Sequence, residues 1–532
     1  MPKNNEAKWD SYFSIPNQHL ESYFGRVRTG NPDVYETPFS KKHGGRQKIL
    51  EQWKPIVDKL SERWPSLLEY ENDLAKKVGP MSVMRPLDER MQDIDSYYDL
   101  ILHKSEPISS SAVSAVIREW SRARGLQLRS QERTVELMKK STNSGSPFFA
   151  KRRAVTDKTV PCEICRHHSE FLQILSMADY LSCAVLGWRG QEGGPEPDDV
   201  KQRVVWMFPY AVNIAELQFY QPAIEAAQRF NLVPAWVSME AVDKEITALF
   251  DTKAKNDLIV CTDFSKFDQH FNEDMQNAAK SIITRILNSS SSSRNWIEQV
   301  FPVKYAIPLA YDYGKIRRGL HGMGSGSGGT NFDETLTHRA LQYEVAQKHG
   351  ARLNPHSMCL GDDGILTYPG ITVDDVVESY SSHGQECNTE KQYASTTDCT
   401  YLRRWHHVDY RVDGVCVGVY STYRALGRLM YQERYYDPEE WGPKQVALRQ
   451  LSIIENCKYH PLREEFAQFC MKRDKYRLGI DIPGFLDNIE REAEKAIEVM
   501  PDFLGYTKSL QSGNPASGIS EWWIVKYLKS VR

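Results

Sequence analysis

The sequence has no long hydrophobic run, and this absence excludes several classes of protein. No apolar stretch in the chain of 532 residues approaches the roughly 20 residues that a membrane-spanning helix needs. The N-terminus, MPKNNEAKWDSYF, has neither the basic start nor the apolar stretch of a signal peptide. The sequence also has no internal repeat. We therefore expect an intracellular globular protein, and the length favours roughly three lobes.

Cysteine is sparse and forms no recognisable disulfide pattern. The ten cysteines are scattered, and Cys261 and Cys359 lie among apolar residues, which is typical of reduced thiols. One segment, CEICRHH, combines four potential metal ligands: Cys162, Cys165, His167 and His168. Its second pair is more closely spaced than in the usual zinc patterns, so a metal site there is the less favoured alternative.

The formal net charge is only −3, but the basic residues are unevenly distributed. Residues 111–160 contain eleven Lys and Arg residues against four acidic ones, which favours a lobe that faces phosphates. A solvated helix face is the simpler interpretation of the part from Arg118 to Arg133. The segment FFAKRR at residues 148–153 is more informative, because aromatic residues beside cations are typical of surfaces that stack bases and bind phosphates.

The pattern of residues predicts a coarse organisation. Residues 1–95 have no clear period, whereas the segment from about 112 to 140 and the chain after Tyr420 have helical patterns. The serine run at 289–293 is expected to be an exposed loop. The segment QSGNPASGIS at 511–520 has the composition of a linker before a short amphipathic C-terminal helix.

Two acidic residues follow a predicted buried strand. The segment DLIVCT at 257–262 is apolar and β-branched, and it ends at Asp263, with Asp268 five residues further on. A carboxylate at the end of a core strand is held by a rigid element and can extend into a cleft. That position suits a metal ligand.

A second pair of acids lies in the predicted hairpin MCLGDDGILTY, residues 358–368. Gly-Asp-Asp-Gly suits a tight turn, but adjacent Asp362 and Asp363 repel each other, and a divalent cation would reverse that repulsion. A plain solvated turn is an equally good interpretation of the tetrapeptide alone. If this hairpin lies beside the strand that ends at Asp263, then Asp263 and Asp362 can share two Mg²⁺ ions about 3.5–4 Å apart.

Between these acids lies a glycine- and serine-rich loop. Residues 322–329 lack bulky side chains, and the segment from Asn331 to Leu341 is predicted to be a helix. A helix that starts directly after such a loop is a common arrangement for binding anions or sugars. A flexible linker is the less favoured alternative.

The order and spacing of these segments resemble the palm of viral RNA-dependent RNA polymerases. DFSKFD resembles motif A, SGSGGT motif B and LGDDG motif C, while GQECNTEK, ending at Lys391, resembles motif D. YLRR at 401–404 resembles the primer-grip motif E, and upstream TNSGSP at 142–147 and KQRVV at 201–205 resemble motifs G and F. The similarity is greatest to the double-stranded RNA viruses of the picobirnavirus and partitivirus kind.

This resemblance implies an α+β fold shaped like a right hand, with fingers, a palm built on an antiparallel sheet, and a helical thumb. Residues 1–95 would form an N-terminal extension that bridges fingers and thumb. The fingers would contain residues 96–256 and 275–318. The palm, with motifs A to E, would span 257–420, and the thumb with the C-terminal tail 421–532.

The resemblance also implies RNA synthesis on an RNA template by two-metal nucleotidyl transfer. Asp263, Asp362 and Asp363 would hold two Mg²⁺ ions, which Mn²⁺ could replace, and Lys391 would protonate the departing pyrophosphate. Nucleotide contacts would come from Lys201, Arg203, Asp268, Ser325, Gly326, Thr330 and Asn331. RNA contacts would come from Lys151, Arg152, Arg153, Arg403 and Arg404.

The implied partners are template and product RNA, ribonucleoside triphosphates and a viral capsid protein, without a membrane, in the virion interior and the host cytoplasm. Two rival interpretations remain. A reverse transcriptase has a similar palm but usually carries an aromatic residue at the position of Asp268. A non-catalytic RNA-binding or capsid protein would explain the basic lobe but not the four acids.

One position departs from the family pattern. Relatives with this motif B usually carry Asn four residues after the Thr, whereas here that residue is Glu334. Thr330, Asn331 or Asp333 would then orient Asp268. A separate hypothesis concerns the C-terminal segment with Trp522 and Trp523, which would either enter the product channel to support unprimed initiation or, as we favour, pack on the thumb.

Overall fold

Helices dominate the chain, and short strands form several separate sheets. The computed structural model describes residues 9–437, 439–497, 499 and 516–532. Its α-helices are Trp9–Tyr12, Gln18–Thr29, Pro38–Lys41, Gly45–Val57, Pro65–Ala75, Leu87–Asp99, Ser110–Glu119, Gln131–Leu137, Arg152–Thr159, Tyr210–Arg229, Pro234–Val237, Met239–Thr252, Glu273–Ile286, Ser291–Gln299, Thr330–Lys348, Val373–Ser382, Thr422–Met430, Pro443–Glu455, Arg463–Arg473, Ile489–Ile497 and Trp523–Val531.

The strands pair mostly in antiparallel ladders. The central sheet has the order Met358–Leu360, Asp363–Leu366, Ile259–Thr262 and Tyr393–Ser395. A second four-stranded sheet has the order Lys201–Met207, Ala184–Gln191, Leu309–Asp312 and Lys315–Arg317, with one parallel pair in its middle. Smaller sheets comprise Asp398–Tyr401, Arg404–His407 and Val419–Tyr420; Glu163–His167, Glu170–Ile174 and Asp179–Leu181; and Tyr35–Glu36 with Tyr431–Gln432.

The central sheet brings the two predicted acidic segments together. Strand Ile259–Thr262 is fully buried, as its β-branched residues predict, and it pairs with Asp363–Leu366 so that Thr262 lies opposite Gly364. The residue after Thr262 and the turn before Gly364 therefore lie at the same end of adjacent strands. This register confirms the expectation that the two segments are neighbours in one sheet.

The N-terminal segment contacts two distant parts of the chain. Trp9 and Phe24 pack in one apolar cluster with Val185 and Ala310 of the second sheet. Residues 39–81 contribute to another cluster, in which Trp53 packs against helices of the C-terminal region and donates a hydrogen bond from Nε1 to Thr422 Oγ1 at 2.9 Å. Residues 35–36 also pair with residues 431–432 across almost 400 positions of sequence. The boundaries of fingers, palm and thumb given above remain predictions.

Helix Thr330–Lys348 is buried along most of its length and supports the central sheet. Near its C-terminal end, Glu344 accepts hydrogen bonds from Ser109 N at 2.6 Å and from His383 Nε2 at 2.5 Å, and it forms an ion pair with Lys348. Burial opposes ionisation, but these donors outweigh it and lower the pKa of Glu344 to about 2. The charged carboxylate therefore ties this helix to two other segments.

Glu344→Gln should destabilise the protein at neutral pH. The pKa of this carboxyl group falls from 4.5 to about 2 on folding, a difference equivalent to about 3 kcal/mol. Because the folded-state pKa is lowered, this stabilisation is present above pH 4.5 and is lost as the pH falls towards 2. Urea unfolding should show a much lower free energy of unfolding for the variant than for wild type at pH 7. At pH 3 the difference between the two free energies should be smaller. The exposed Glu378→Gln is the matched control and should change stability by less than about 0.5 kcal/mol.

Some local expectations were wrong. The serine run is not simply a loop, because Ser290 accepts a hydrogen bond from Ser293 N and begins helix Ser291–Gln299. The segment 112–140 is not one helix, since it breaks after Glu119 and resumes at Gln131.

The C-terminal helix Trp523–Val531 packs on the C-terminal region, as we favoured, rather than entering a channel. Ile524, Val525 and Leu528 are fully buried, and the Glu455 carboxylate accepts hydrogen bonds from Trp523 N and Ile524 N at the start of the helix. Residues 511–515 of the predicted linker lie outside the described residues.

All ten cysteines are free thiols, as expected. Within the described ranges, no group of three or more His, Cys, Asp or Glu residues is arranged to hold a metal ion by itself. The structure therefore lends no support to a metal site in the CEICRHH segment. No helix among the described residues is both long and apolar enough to span a membrane.

Candidate active site

Asp263 follows the buried strand and is fixed by its backbone. Its N–H donates to Gln392 Oε1 at 2.7 Å, and its C=O accepts from Gln392 Nε2 at 2.8 Å. The Gln392 side chain thereby continues the hydrogen bonding between strand Ile259–Thr262 and its neighbour Tyr393–Ser395 beyond the end of the ladder. The Asp263 carboxylate is left exposed to the cleft, where it can act as a ligand.

Asp362 and Asp363 have different surroundings although they are adjacent. The turn consists of Gly361, with φ at +57°, and Asp362, because Leu360 already pairs with Asp363. The Asp362 side chain is exposed. Asp363 belongs to the strand, and its Oδ2 accepts a hydrogen bond from Leu402 N at 2.8 Å. Asp362 therefore extends into the cleft with Asp263, while Asp363 also anchors the hairpin around Leu402.

Helix Thr330–Lys348 holds this turn from behind. Gly361 N donates to Thr335 Oγ1 at 2.9 Å, and Gly361 O accepts from His338 Nδ1 at 2.8 Å. Burial lowers the pKa of His338 to about 4, so the ring is neutral at pH 7. A Cβ at Gly364 would lie 2.6 Å from the His338 ring, so this position in the motif has no room for a side chain. The turn is thus held in place by polar and steric contacts.

The acidic groups repel one another electrostatically. Loss of hydration in the cleft and the Asp268 carboxylate raise the pKa of Asp362, while Arg203 lowers it. Burial and Asp362 raise the pKa of Asp363 to about 7. A cluster of carboxylates that disfavours its own negative charge suits a hard cation, which would reverse these shifts.

The strand Lys201–Met207 places two cations beside the acids. Lys201 and Arg203 alternate with more buried residues along the strand, so both extend from one exposed face. Burial, Lys77 and Arg203 lower the pKa of Lys201. The Arg203 guanidinium donates two hydrogen bonds to Gln191 Oε1, which hold it while its electrostatic effect reaches Asp362.

The glycine-rich loop packs tightly against this strand. Ser325 Oγ donates to Val204 O and accepts from Trp206 N, both at 3.3 Å. A Cβ on Gly326 would come within 1.5 Å of Trp206 O, so only glycine fits. Thr330 begins the helix and donates from Oγ1 to Gly324 O at 3.2 Å. Three predicted nucleotide-binding residues thus fix the loop against the cationic strand.

The three expected partners of Asp268 are engaged elsewhere. Asn331 Oδ1 accepts from Trp236 Nε1 at 3.0 Å. Asp333 is fully buried in hydrogen bonds with Tyr220, Tyr305 and Lys304. Thr330 bonds within the loop.

Glu334 interacts electrostatically with Asp268, because burial and the Asp268 carboxylate raise the pKa of Glu334 well above its usual value. Among the described residues no hydrogen bond joins the Asp268 side chain to Thr330, Asn331 or Asp333, so the expectation that one of them orients Asp268 stays a prediction.

The basic segment 151–153 contains two exposed residues and one residue that is bonded within the protein. Lys151 and Arg153 are exposed at the start of a helix. Arg152 donates to Asn213 Oδ1 at 2.9 Å, and its guanidinium lies 5.1 Å from the Tyr210 ring. Two of the three predicted RNA contacts are therefore available to a ligand, while Arg152 mainly holds the segment in place.

The predicted primer-grip arginines differ in the same way. Arg403 is exposed at the tip of a two-residue turn, with φ at +63°. Arg404 is 8% exposed, and it is bound by the Asp243 carboxylate at 3.0 Å and by Gly418 O. A buried, paired guanidinium cannot contact RNA without breaking that pair. The prediction for Arg404 therefore needs correction, because this residue positions the hairpin that carries Arg403.

Lys391 is exposed at the end of the short 3₁₀ turn Thr389–Lys391. It directly precedes Gln392, whose side chain holds the Asp263 backbone. Sequence reasoning missed Gln392, and the only available signal was its position beside the predicted Lys391.

The donor set fits divalent cations. Asp263 and Asp362 offer carboxylate oxygens from two rigid strand ends, and Asp363 lies directly behind them. No three described acids converge closely enough to enclose an ion. Mg²⁺ suits such a site because it keeps several water and phosphate ligands beside one or two carboxylates.

Comparison with known proteins gives concordant matches. A family model described as viral RNA-dependent RNA polymerase matches residues 92–455. A potential RNA-dependent RNA polymerase of Human picobirnavirus (strain Human/Thailand/Hy005102/-) is 61% identical over 529 residues, covering 98% of this chain and 99% of the relative. The crystal structure of the RNA-dependent RNA polymerase of a human picobirnavirus matches with a TM-score of 0.94, 60% identity and 99% coverage of both chains. The crystal structure of an insertion-loop deletion mutant of the RNA-dependent RNA polymerase of a human picobirnavirus matches with a TM-score of 0.92, 58% identity and 99% coverage of both chains.

Proposed function

Since the chain belongs to the viral RNA-dependent RNA polymerases, and so synthesises RNA and binds RNA and nucleotides, we propose that it replicates and transcribes a viral double-stranded RNA genome by two-metal nucleotidyl transfer. The observation that carries this proposal is the pairing that places Asp263 and Asp362 at one end of the central sheet. Reverse transcription and a purely structural role are not consistent with this family.

Asp263 and Asp362 would hold two Mg²⁺ ions, which Mn²⁺ could replace. These ions would supply charge neutralisation and activation of the 3′-hydroxyl. Asp363 would support the site from behind while its Oδ2 stays bonded to Leu402 N. The two backbone hydrogen bonds to Gln392 would hold the point from which the Asp263 side chain extends into the cleft.

Cations of the chain would act on the triphosphate. Arg203 would grip phosphate oxygens with its guanidinium, and Lys201 would add a second positive charge from the same strand face. Lys391 would donate a proton to the departing pyrophosphate oxygen. These three cations would supply positive charge where negative charge develops during transfer.

Asp268 would accept a hydrogen bond from the ribose 2′-hydroxyl. Ser325, Gly326 and Thr330 would shape the loop beneath the nucleotide, with Asn331 at the start of the following helix. Lys151 and Arg153 would contact template phosphates, and Arg403 the primer strand. The glycine-rich loop, the helix that follows it and the hairpin that carries Arg403 would thus each contribute contacts around the cleft.

Incubating the pure protein with an RNA template, Mg²⁺ and labelled ribonucleotides should yield RNA complementary to the template. EDTA should abolish synthesis, and Mn²⁺ should restore it. Product that does not depend on the template sequence, or synthesis that persists in excess chelator, would contradict the proposed reaction.

We place this reaction in the virion interior and the host cytoplasm, with a viral capsid protein as partner. The support is the similarity to a polymerase of Human picobirnavirus over nearly the whole chain. Co-sedimentation of the polymerase with purified capsids would test the partnership.

A further inference from the structure

A buried carboxylate holds the C-terminal end of the glycine-rich loop. Glu216 lies on helix Tyr210–Arg229 and is fully buried. Its Oε1 accepts a hydrogen bond from Gly328 N at 3.2 Å, and its Oε2 accepts one from the Ser327 hydroxyl. The Ser327 Oγ in turn accepts from Gly329 N at 3.0 Å. One side chain from a separate element therefore fixes three consecutive loop residues, two directly and one through Ser327.

The loop depends on such hydrogen bonds because it has few side chains that could pack. Five of residues 322–329 are glycine, and glycine loses more conformational freedom on folding than any other residue. Bonds to backbone and hydroxyl groups must therefore fix the loop. Strand Lys201–Met207 anchors Ser325, and Glu216 adds anchors from a second element. The position of the surface proposed to lie beneath the nucleotide thus depends on Glu216.

Asn213 joins this carboxylate to the basic segment 151–153. Asn213 lies one helical turn before Glu216 and is only 6% exposed. Its Nδ2 donates to Glu216 Oε1 at 3.0 Å and to Gly326 O at 3.2 Å, while its Oδ1 accepts from Arg152 Nη2 at 2.9 Å. Only this orientation of the amide satisfies two acceptors and one donor. An unbroken path of hydrogen bonds therefore runs from Arg152 through Asn213 to the loop.

The surroundings of Glu216 compensate for its burial. Burial raises the pKa of this carboxyl group, whereas the Lys304 ammonium and the three donors described above lower it. Lys304 is itself fully buried and forms an ion pair with Asp333 at 3.0 Å. Among the described residues, the proposed metal ligands form no hydrogen bond to Glu216 or Asn213. The network therefore acts on the loop and not on the metal site.

We propose that Glu216 and Asn213 are positioning residues for the incoming nucleotide, and that Arg152 acts on the same loop through Asn213 instead of contacting RNA. Both residues would hold the loop in the conformation that binds the nucleotide without touching the nucleotide themselves. This inference rests on the proposed function, because it takes the loop to lie beneath the nucleotide. It gives a reason why a basic segment with two exposed cations keeps a third one bonded within the protein.

Glu216→Met should weaken nucleotide binding more than it slows the chemical step. Methionine has a similar size but no oxygen that could accept from Ser327 and Gly328, whereas Glu216→Gln retains one acceptor oxygen. The rate of single-nucleotide addition on a primed template, measured against nucleotide concentration, gives the apparent Kd and the maximal rate. We expect the Kd to rise at least about tenfold in the Met variant and less than about threefold in the Gln variant, with a smaller change in the maximal rate.

Glu344→Met is the matched control, because Glu344 is also buried and also accepts from a backbone N–H and a side chain, but near the far end of helix Thr330–Lys348. It should lower the temperature of thermal unfolding and leave the nucleotide Kd unchanged. Ser327→Ala removes only the loop hydroxyl and should raise the Kd at least about threefold. This variant tests the proposal even if Glu216→Met does not fold.

Arg152→Met should raise the nucleotide Kd at least about threefold and leave the affinity for template RNA, measured by filter retention, within about twofold of wild type. Arg153→Met removes an exposed cation from the same segment, so it should weaken template binding and change the nucleotide Kd less. If Arg152 and Asn213 act in one path, combining Arg152→Met with Asn213→Leu should raise the Kd by less than the product of the two single changes.

An unchanged nucleotide Kd in both Glu216→Met and Ser327→Ala would overturn the positioning role. Equal rises in Glu216→Met and Glu344→Met would contradict it as well, because they would show a general loss of structure. A loss of template affinity in Arg152→Met as large as that in Arg153→Met would overturn the path through Asn213. A complete lack of RNA synthesis by the wild-type protein would instead contradict the proposed function itself.

Discussion

Replacing Asp362 with Asn should abolish nucleotide addition. The substitution keeps the shape of a residue at the tip of a turn that Thr335 and His338 hold from behind. It removes one negative charge from a ligand proposed to be shared by two metal ions. Loss of one preorganised electrostatic group commonly lowers kcat by about 10²–10³-fold, and loss of a shared ligand should exceed that. Single-nucleotide addition on a primed template measures the effect.

Two matched variants make this prediction specific. Asp374→Asn alters an exposed acid on helix Val373–Ser382 and should leave activity unchanged. Asp363→Asn should lose less than Asp362→Asn, because an amide oxygen can still accept the hydrogen bond from Leu402 N. RNA binding by filter retention should remain intact in all three variants. Synthesis at the wild-type rate by Asp362→Asn would rule out the assigned metal site.

The parts of the fold that the sequence predicted well are those with strong local patterns. The apolar, β-branched segment before Asp263 formed a buried strand within two residues of its expected start. The Gly-Asp-Asp-Gly segment formed a tight turn, although Asp363 belongs to the strand rather than to the turn. The helix after the glycine-rich loop also formed as expected, but it extends to Lys348. Hydrophobic periodicity and turn residues determine such elements over short distances.

Contacts between distant segments could not be predicted in this way. Neither segment has a sequence pattern that predicts the pairing of residues 35–36 with residues 431–432. The burial of Arg404 depends on Asp243, which lies 161 positions earlier in the sequence. A basic residue next to another basic residue therefore gives no indication of which one is paired inside the protein.

At the candidate site too, local sequence patterns identified some residues but not those that act through contacts between distant segments. The motifs identified the acids, but not the side chain of Gln392 that fixes the Asp263 backbone. They marked Glu334 as unusual without showing that burial and the Asp268 carboxylate raise its pKa. Residues that perform chemistry lie in recognisable patterns, whereas the residues that orient them are defined by three-dimensional contacts.

Lys391→Leu should slow nucleotide addition by about 10²–10⁴-fold, the usual contribution of a well-placed proton donor. Because the proposed role lies in protonating the leaving group, kcat should fall while KM for the nucleotide changes little. Rapid-quench kinetics of a single addition would separate these two constants. The exposed Lys255→Leu removes the same charge outside the cleft and should have no effect.

Lys391→Arg distinguishes proton donation from simple charge stabilisation. Arginine keeps the positive charge, but its pKa above about 12 makes it a poor proton donor at neutral pH. If Lys391 is the general acid, the Arg variant should remain strongly impaired. If Arg restores the rate, Lys391 acts through its charge alone. A rise in KM without a fall in kcat would instead make Lys391 a nucleotide-binding residue. Lys391 lies beside Gln392 and the fixed Asp263, and it is not part of the basic segment 151–153.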